Sequence, residues 1–320
     1  KHGGPIHLIN VTIAQTVTEH SKLAAQDRKG KAMHIGPEGI IHEGGSPGTV
    51  ECRPLAGSGN GTELMPLSMW VAISGAAAST AVGTATTPGL SLLAMMANVR
   101  LGYWWRVRDL PKFRRGIRDW LCNRLFEGVY SYLLDELRGA FRADDRRNRW
   151  YLTDGGHFDN TGIYPLLLRR LPLIICADNG ADPRYQMSDI NQLVNRARTD
   201  LGIDIDFLNE QGIGERVSDQ YPALGTIGTF AQVAAAPGDY DGAGDKVCAA
   251  LARITYPGKD GEPKQMSSTG YLLVIKPKVT EADSPGLHSY YHQSGGRFPQ
   301  QTTGDQFFDE DQWEAYRLLG

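Results

Sequence analysis

Cysteine is scarce in this chain of 320 residues, and Cys52, Cys122, Cys176 and Cys248 lie far apart with no paired motif. That spacing excludes the Cys-x-x-Cys sets of structural zinc and dithiol redox centres and points to a reducing compartment. A strong charge of either sign is missing as well. Lys and Arg total 33 against 36 Asp and Glu, a net charge of −3, which gives no bulk attraction to nucleic acid. No internal repeat and no signal-peptide pattern is present. The chain begins at Lys1 rather than Met, so the start of the gene product is expected upstream of it. One long stretch, Leu64 to Val99, has no charged residue, and its length is enough to cross a bilayer. Pro66, Pro88, three Gly and many Ser and Thr break it, so a buried strand or turn followed by a packed helix from about Pro88 to Ala97 is expected instead.

What is present is the composition of an ordinary soluble domain, 41% apolar and 22% charged. Ile6 to Val17 is β-branched and predicts a strand within a sheet. Glu19 to Gly61 is polar and Gly-rich, which predicts loops and a hairpin. Lys112 to Arg142 carries Phe113, Ile117, Leu121, Leu125, Val129, Leu133, Leu137 and Phe141 at four-residue intervals, a helical pattern. From Arg106 to Arg149 there are twelve Arg and Lys against seven Asp and Glu. Just before that helix, Trp104, Trp105, Arg106 and Arg108 mix amphipathic rings with cations. Such a mixture suits a lipid headgroup layer, although a solvated basic face is the plainer reading.

Further on, Ile190 to Arg198 predicts a helix and Leu201 to Leu208 a strand with Asp204 and Asp206 on one face. Two alternating carboxylates without a third hard ligand read as solvated. Val247 to Tyr256 and Gly270 to Pro277 read as strands. His288 and His292 have helical spacing for a metal, but SPGLHSYYHQSGG is not a convincing helix. Asp305 to Leu319 predicts a terminal helix packing through Phe307, Phe308, Trp313 and Tyr316. No metal or organic cofactor is implied.

The chemistry concentrates between Arg149 and Pro183. Trp150-Tyr151-Leu152-Thr153 predicts a strand, and Asp154-Gly155-Gly156 ends it, which places Asp154 at the carboxyl end of a strand. Asn160 or Thr161 then caps a helix through Ile163 and Leu166 to Leu168, and Leu171 to Ala177 reads as a fully buried strand with Cys176 as a small apolar filler. A carboxylate in that position can serve as a general base for a serine, and a raised pKa would help it do so. Among the serines, Ser46 fits G-x-S-x-G literally, but Pro47 has no N–H for an oxyanion and a polar loop precedes it. Ser58 has no strand before it. Ser74 has the best surroundings, since Met69 to Ile73 could form a strand, Gly75 the tight turn, and Ala76 to Ala78 the start of a helix. His157, near Asp154 in sequence, would be a triad histidine only in a different hydrolase class.

Asp154-Gly155-Gly156, followed by Asn160 and a helix, resembles the aspartate motif of patatin-like phospholipases, a family related to cytosolic phospholipases. Ala72-Ile73-Ser74-Gly75-Ala76-Ala77, Asn98-Val99-Arg100-Leu101-Gly102, and the end from Phe298-Pro299 through Gln306-Phe307-Phe308-Asp309-Glu310 to Tyr316-Arg317 look like a bacterial branch of it. The resemblance implies a three-layer α/β/α domain over 1–320 with a central, mostly parallel sheet, incomplete in this chain. It also implies a Ser-Asp centre with Asp154 as base, Gly155 and Gly156 shaping the loop and Asn160 holding the helix start. In that family the nucleophile and the Gly-rich oxyanion loop come earlier than any Ser-x-Ala-Ala-like segment, and neither motif occurs in residues 1–63. The resemblance therefore makes Ser74 structural, whereas its surroundings make it a nucleophile. A preceding segment or second chain would complete the domain. The expected activity is hydrolysis of phospholipid or another acyl-ester lipid, in the cytoplasm or at the cytoplasmic membrane surface. A catalytically silent lipid-binding or interaction module is the alternative.

Overall fold

The computed structural model describes residues 4–14, 30–43, 50–53, 65–75, 102–106, 149–209, 211–212, 227–235, 247–258, 268–280, 283–302 and 307–320. Several sequence expectations lie outside them: Ser46, Ser58, the helix from Pro88, the helix over Lys112 to Arg142, Arg108, and the side chains of Trp104 and Arg106. The chain divides into two compact units, Lys1–Asn160 and Thr161–Gly320.

The first unit contains β1 (Ile9–Ala14), β2 (Gly30–Gly36), β3 (Gly39–Glu43), β4 (Val50–Arg53), α1 (Leu67–Ser74), β5 (Tyr103–Arg106) and β6 (Arg149–Asp154). Its strands form one six-stranded sheet in the order β4-β3-β2-β1-β6-β5, and every pairing is antiparallel. Alternation explains the pairing. Ile9, Val11 and Ile13 of β1 face the same side as Met33 and Ile35 of β2 and Leu152 of β6, and all are buried. Trp70 and Ile73, three residues apart in α1, close this core from above, while Leu67, Met69 and Val71 stay exposed. The strand expected at Met69 to Ile73 is therefore a helix. An uncharged apolar run has no periodicity that separates the two forms; Pro66, extended at ψ 153, starts the helix and its carbonyl accepts from the N–H of Met69.

The second unit contains α2 (Tyr164–Leu168), β7 (Leu173–Ala177), α3 (Ser188–Arg196), β8 (Asp204–Phe207), β9 (Ile227–Gly228), α4 (Phe230–Val233), β10 (Ala249–Tyr256), β11 (Ser268–Ile275), α5 (Pro285–Gln293) and α6 (Glu310–Leu319). Four strands run β7-β11-β10-β8, with β9 beside β10. β7 and β11 are parallel, and β10 is antiparallel to both β11 and β8. The fold is thus mixed α/β, but the described strands form one antiparallel and one mixed sheet in place of the expected mostly parallel one. β6 and β7, expected to flank one continuous unit, belong to different sheets. β7 is also not fully buried. It alternates, with Ile174 and Cys176 on the buried face and Leu173 and Ile175, on the other face, more than half exposed.

The terminal helix α6 forms as expected, capped by the Asp309 carboxylate, which accepts from the N–H of Gln312 at 2.7 Å. Its packing differs from the expectation. Ala315 and Tyr316 meet Phe298 and Leu287, and Phe308 stacks on Tyr316, but Phe307 and Trp313 lie largely exposed. With Gln312, Ala315, Tyr316 and Leu319 spaced along the inner face, Trp313 falls on the opposite side. Among the described residues no helix is long and apolar enough to cross a membrane.

Candidate active site at the Asp-Gly-Gly turn

β6 ends at Asp154, as the sequence predicts, and a tight 3-10 turn, Gly155–His157, follows at once. The turn is built around one carboxylate oxygen and one carbonyl. Asp154 Oδ1 accepts from the N–H of Gly156 at 2.7 Å. The carbonyl of Gly155 accepts from the N–H of Phe158 at 3.1 Å, the N–H of Asp159 at 3.0 Å and the Thr12 hydroxyl at 3.3 Å. Neither glycine has a positive φ, so the requirement here is space. A Cβ on Gly155 would sit 2.6 Å from the backbone oxygen of Asn10 in β1. On Gly156 it would meet Asn160 Oδ1 at 2.9 Å and Asp154 Oδ1 at 3.2 Å. The two glycines let the turn lie against β1 and leave room beside Gly156 for the oxygens of Asp154 and Asn160.

Register places Asp154 opposite Val11, two residues beyond Leu152, and hence on the sheet face that α1 covers. It is half-buried, and among the described residues its Oδ2 has no hydrogen-bond partner. Thr153 points to the other face, where its hydroxyl meets His157 Nδ1 at 3.3 Å. His157 therefore engages Thr153, and among the described residues it makes no pair with Asp154. Asn160 is exposed beside Gly156, and the N–H of Ile163 donates to Thr161 Oγ1 at 3.3 Å. α2 itself begins after Ile163 with no side-chain cap, so Asn160 does not cap the helix start predicted for it.

Ser74 is the last residue of α1 and half-buried. α1 packs on β1 and β6, on the face that carries Asp154, so the fold brings serine and aspartate to one side of one sheet. The setting of Ser74 is unlike a nucleophile elbow. A helix C-terminus presents carbonyl oxygens, which repel a developing oxyanion, where a helix start would present N–H donors. Residues 76–78 lie outside those described.

The proposed lipid-contact segment is the edge strand β5. Trp105 is 2% exposed and packs edge-on between Trp70, at 5.7 Å between ring centroids, and Trp150, at 5.8 Å. Its ring belongs to the core and cannot reach a headgroup, because β5 alternation turns it toward α1. Gly102, from the stretch Asn98 to Gly102, donates its N–H to the Tyr151 hydroxyl at 3.1 Å, and a Cβ there would overlap the Tyr151 ring. Asp204 and Asp206 are exposed as expected, with Asp204 bound by Arg198 at 2.9 Å. His288 and His292 do lie on a helix, α5, which Ser284 caps by accepting from the N–H of Leu287. Among the described residues no group of three His, Cys, Asp or Glu could hold a metal.

Sequence reasoning missed a second polar centre, where Lys276 follows β11 and Asp178 follows β7. Their side chains are almost fully buried and 3.3 Å apart. The available signal was a Lys directly after the apolar run Gly270 to Ile275, and a run of Asp and Gly directly after Ala177.

No family model, curated protein or solved structure matches the chain.

Proposed function

We propose that this chain carries the aspartate of a Ser-Asp lipid acyl hydrolase of the patatin-like type, with Asp154 as general base. The observation that supports it is the fixed carboxylate: Oδ1 is held by the Gly156 N–H, while Oδ2 has no partner among the described residues on the helix-covered face. Oδ2 would take the proton from a serine hydroxyl as its oxygen attacks the acyl carbonyl. The protonated acid would then return that proton to the leaving alcohol, and water would release the acyl group by the same route. The oxyanion donors, and a nucleophile other than Ser74, would come from a preceding segment or a second chain. Substrates would be phospholipids or other acyl-ester lipids, met in the cytoplasm or at the membrane surface of a bacterial cell. The reading carries with it the three-layer α/β/α arrangement of that family, which the described strands do not themselves display.

Fluorophosphonate treatment followed by peptide mass spectrometry tests this, together with ester hydrolysis by Asp154→Asn. Loss of hydrolysis in the variant is expected, and full retention refutes the base role. An adduct on Ser74 would make that residue the nucleophile.

The position of Ser74 at a helix end favours one other reading, a catalytically silent lipid-binding module. It predicts liposome binding without turnover, unchanged by Asp154→Asn.

A further inference from the structure

The carboxyl ends of the parallel strands β7 and β11 open into a cavity of about 340 Å³ lined by Asp178, Gly180, Asp182, Arg184, Ser188 and Lys276, among others. In α/β sheets this is where ligands sit, in the crevice beyond the strand ends. The loop around the cavity is tightly determined. Asp178 Oδ1 accepts from the N–H of Gly180 at 3.1 Å, and Asp182 Oδ2 from the N–H of Met187 at 2.7 Å. The Gln300 amide oxygen takes the N–H of Asp182 at 3.1 Å, and the Tyr185 hydroxyl donates to the carbonyl of Pro277 at 3.2 Å. These bonds hold Tyr185 and Met187 at φ 50 and 52, a left-handed backbone that side chains rarely adopt and that recurs at ligand sites.

Lys276 is 1% exposed and lines the cavity. Two of its ammonium hydrogens are accounted for, by Asp178 Oδ2 at 3.3 Å and the carbonyl of Gly180 at 2.8 Å. Among the described residues the third has no acceptor, and buried donors are rarely left so. The Arg184 guanidinium at the rim makes no ion pair among the described residues, and α3 starts at the cavity, with Ser188 and Asp189 in its wall and no side-chain cap. The Asp178 carboxylate accepts from the Gly180 N–H and from Lys276, and Asp182 from the Met187 N–H, so both are engaged within the loop, while the third Lys276 hydrogen and the Arg184 guanidinium are left for a ligand.

We propose that this cavity binds a singly charged oxyanion, a phosphodiester or carboxylate group, between Lys276, Arg184 and the first turn of α3. A dianion fits less well beside Asp178, Asp182 and Asp189. The site is independent of the acyl-hydrolase reading, since it uses none of the residues around Asp154.

Calorimetric titration of the full chain with dimethyl phosphate, acetate and inorganic phosphate at neutral pH tests the proposal. Saturable binding of dimethyl phosphate or acetate, tighter than that of inorganic phosphate, is expected, and the tighter of the two names the group. Arg184→Gln, at an exposed position, should weaken it about tenfold by removing one charged hydrogen bond, and Asp154→Asn should leave it unchanged. Displacement of the bound probe by phosphatidylglycerol vesicles would assign a phosphodiester to a lipid headgroup, and absence of displacement to a soluble ligand. The proposal is overturned if neither monoanion binds, if inorganic phosphate binds tightest, or if Arg184→Gln binds as the parent does.

Discussion

Replacing each glycine of the Asp-Gly-Gly turn by alanine should separate what the fold needs from what the carboxylate needs. In Gly155→Ala the new Cβ would lie 2.6 Å from the Asn10 oxygen and 2.7 Å from its carbonyl carbon and Cβ. Ordinary contacts are nearer 3.5 Å, so β1 or the turn must move by about 0.9 Å at a buried position where β1 pairs with both β2 and β6. Overpacking that forces backbone shifts costs about 1–3 kcal/mol, and backbone neighbours place this case at the upper end. Because φ is not positive at Gly155, alanine also gains about 0.4–1 kcal/mol from its less flexible unfolded chain, leaving a loss of about 2 kcal/mol. In Gly156→Ala the nearest atoms are the side-chain ends of Asn160 and Asp154, at 2.9 and 3.2 Å. These rotate, and the same unfolded-state gain offsets most of the cost, so stability should stay within about 1 kcal/mol of the parent. For a unit of 160 residues, Gly155→Ala should lower Tm by about 4–8 °C, followed by circular dichroism and checked by urea titration. Ester hydrolysis should show the reverse order, because the displaced Asp154 oxygen loses the Gly156 N–H. A Gly155→Ala protein as stable as Gly156→Ala would refute the steric account of the turn.

Two further outcomes follow from the second unit. Lys276→Met strands the Asp178 carboxylate at 9% exposure and should cost about 3–5 kcal/mol in urea unfolding, whereas Lys276→Met with Asp178→Asn should recover much of it; equal losses in single and double variants would show that the pair is not coupled. Burial pushes the Tyr256 phenol up to about 12, against the opposing pull of Arg170 beside it, while its hydroxyl donates to the carbonyl of Leu171 at 2.7 Å. The unfolded value is about 10, so the folded state holds this proton more tightly; its stabilisation is complete below about pH 10 and lost as pH rises towards 12. Unfolding midpoints should fall across that window in the parent and fall less in Tyr256→Phe, and identical slopes would contradict the assignment.

The sequence was most legible where side-chain alternation and a chain break coincide. The strand ending at Asp154, the strands around Ile205, Ile254 and Leu272, and the helix capped by Asp309 were all visible, because each combines a burial period with a residue that stops it. It was least legible where tertiary context chooses between equal local options. Met69 to Ile73 could have been strand or helix, and the sheet made it the helix that delivers Trp70 and Ile73 to one core. Leu173 and Ile175 look fully buried from composition, yet successive side chains point to opposite faces of the sheet, and on β7 only the face of Ile174 and Cys176 is buried. Trp105 reads as an interfacial aromatic because its neighbours are cations, but β5 pairing turns it inward, and no local pattern carries that pairing. The Lys276–Asp178 contact joins residues almost a hundred positions apart through the parallel alignment of Ile275 with Ala177, a register that a single sequence does not state.

A turn kept only to let β6 end against β1 would need Gly155, whose missing Cβ makes room for β1 backbone. It would need neither Gly156 nor an amide at position 160, because the space beside Gly156 is filled by side-chain oxygens that could go elsewhere. In this chain that space is shared by the oxygens of Asp154 and Asn160, and the N–H of Gly156 holds the Asp154 oxygen at 2.7 Å. The Asp154–Gly156 bond is the cap of the Gly155–His157 turn, and the same bond leaves the carboxylate in one orientation. Holding a side chain in one orientation costs conformational entropy and is of use where a second group must meet it. The hydrolase reading and a silent fold part at this point: if Gly156→Ala, which crowds the Asp154 oxygen at 3.2 Å, leaves ester hydrolysis untouched, the orientation of the carboxylate is not used and the turn serves the sheet alone.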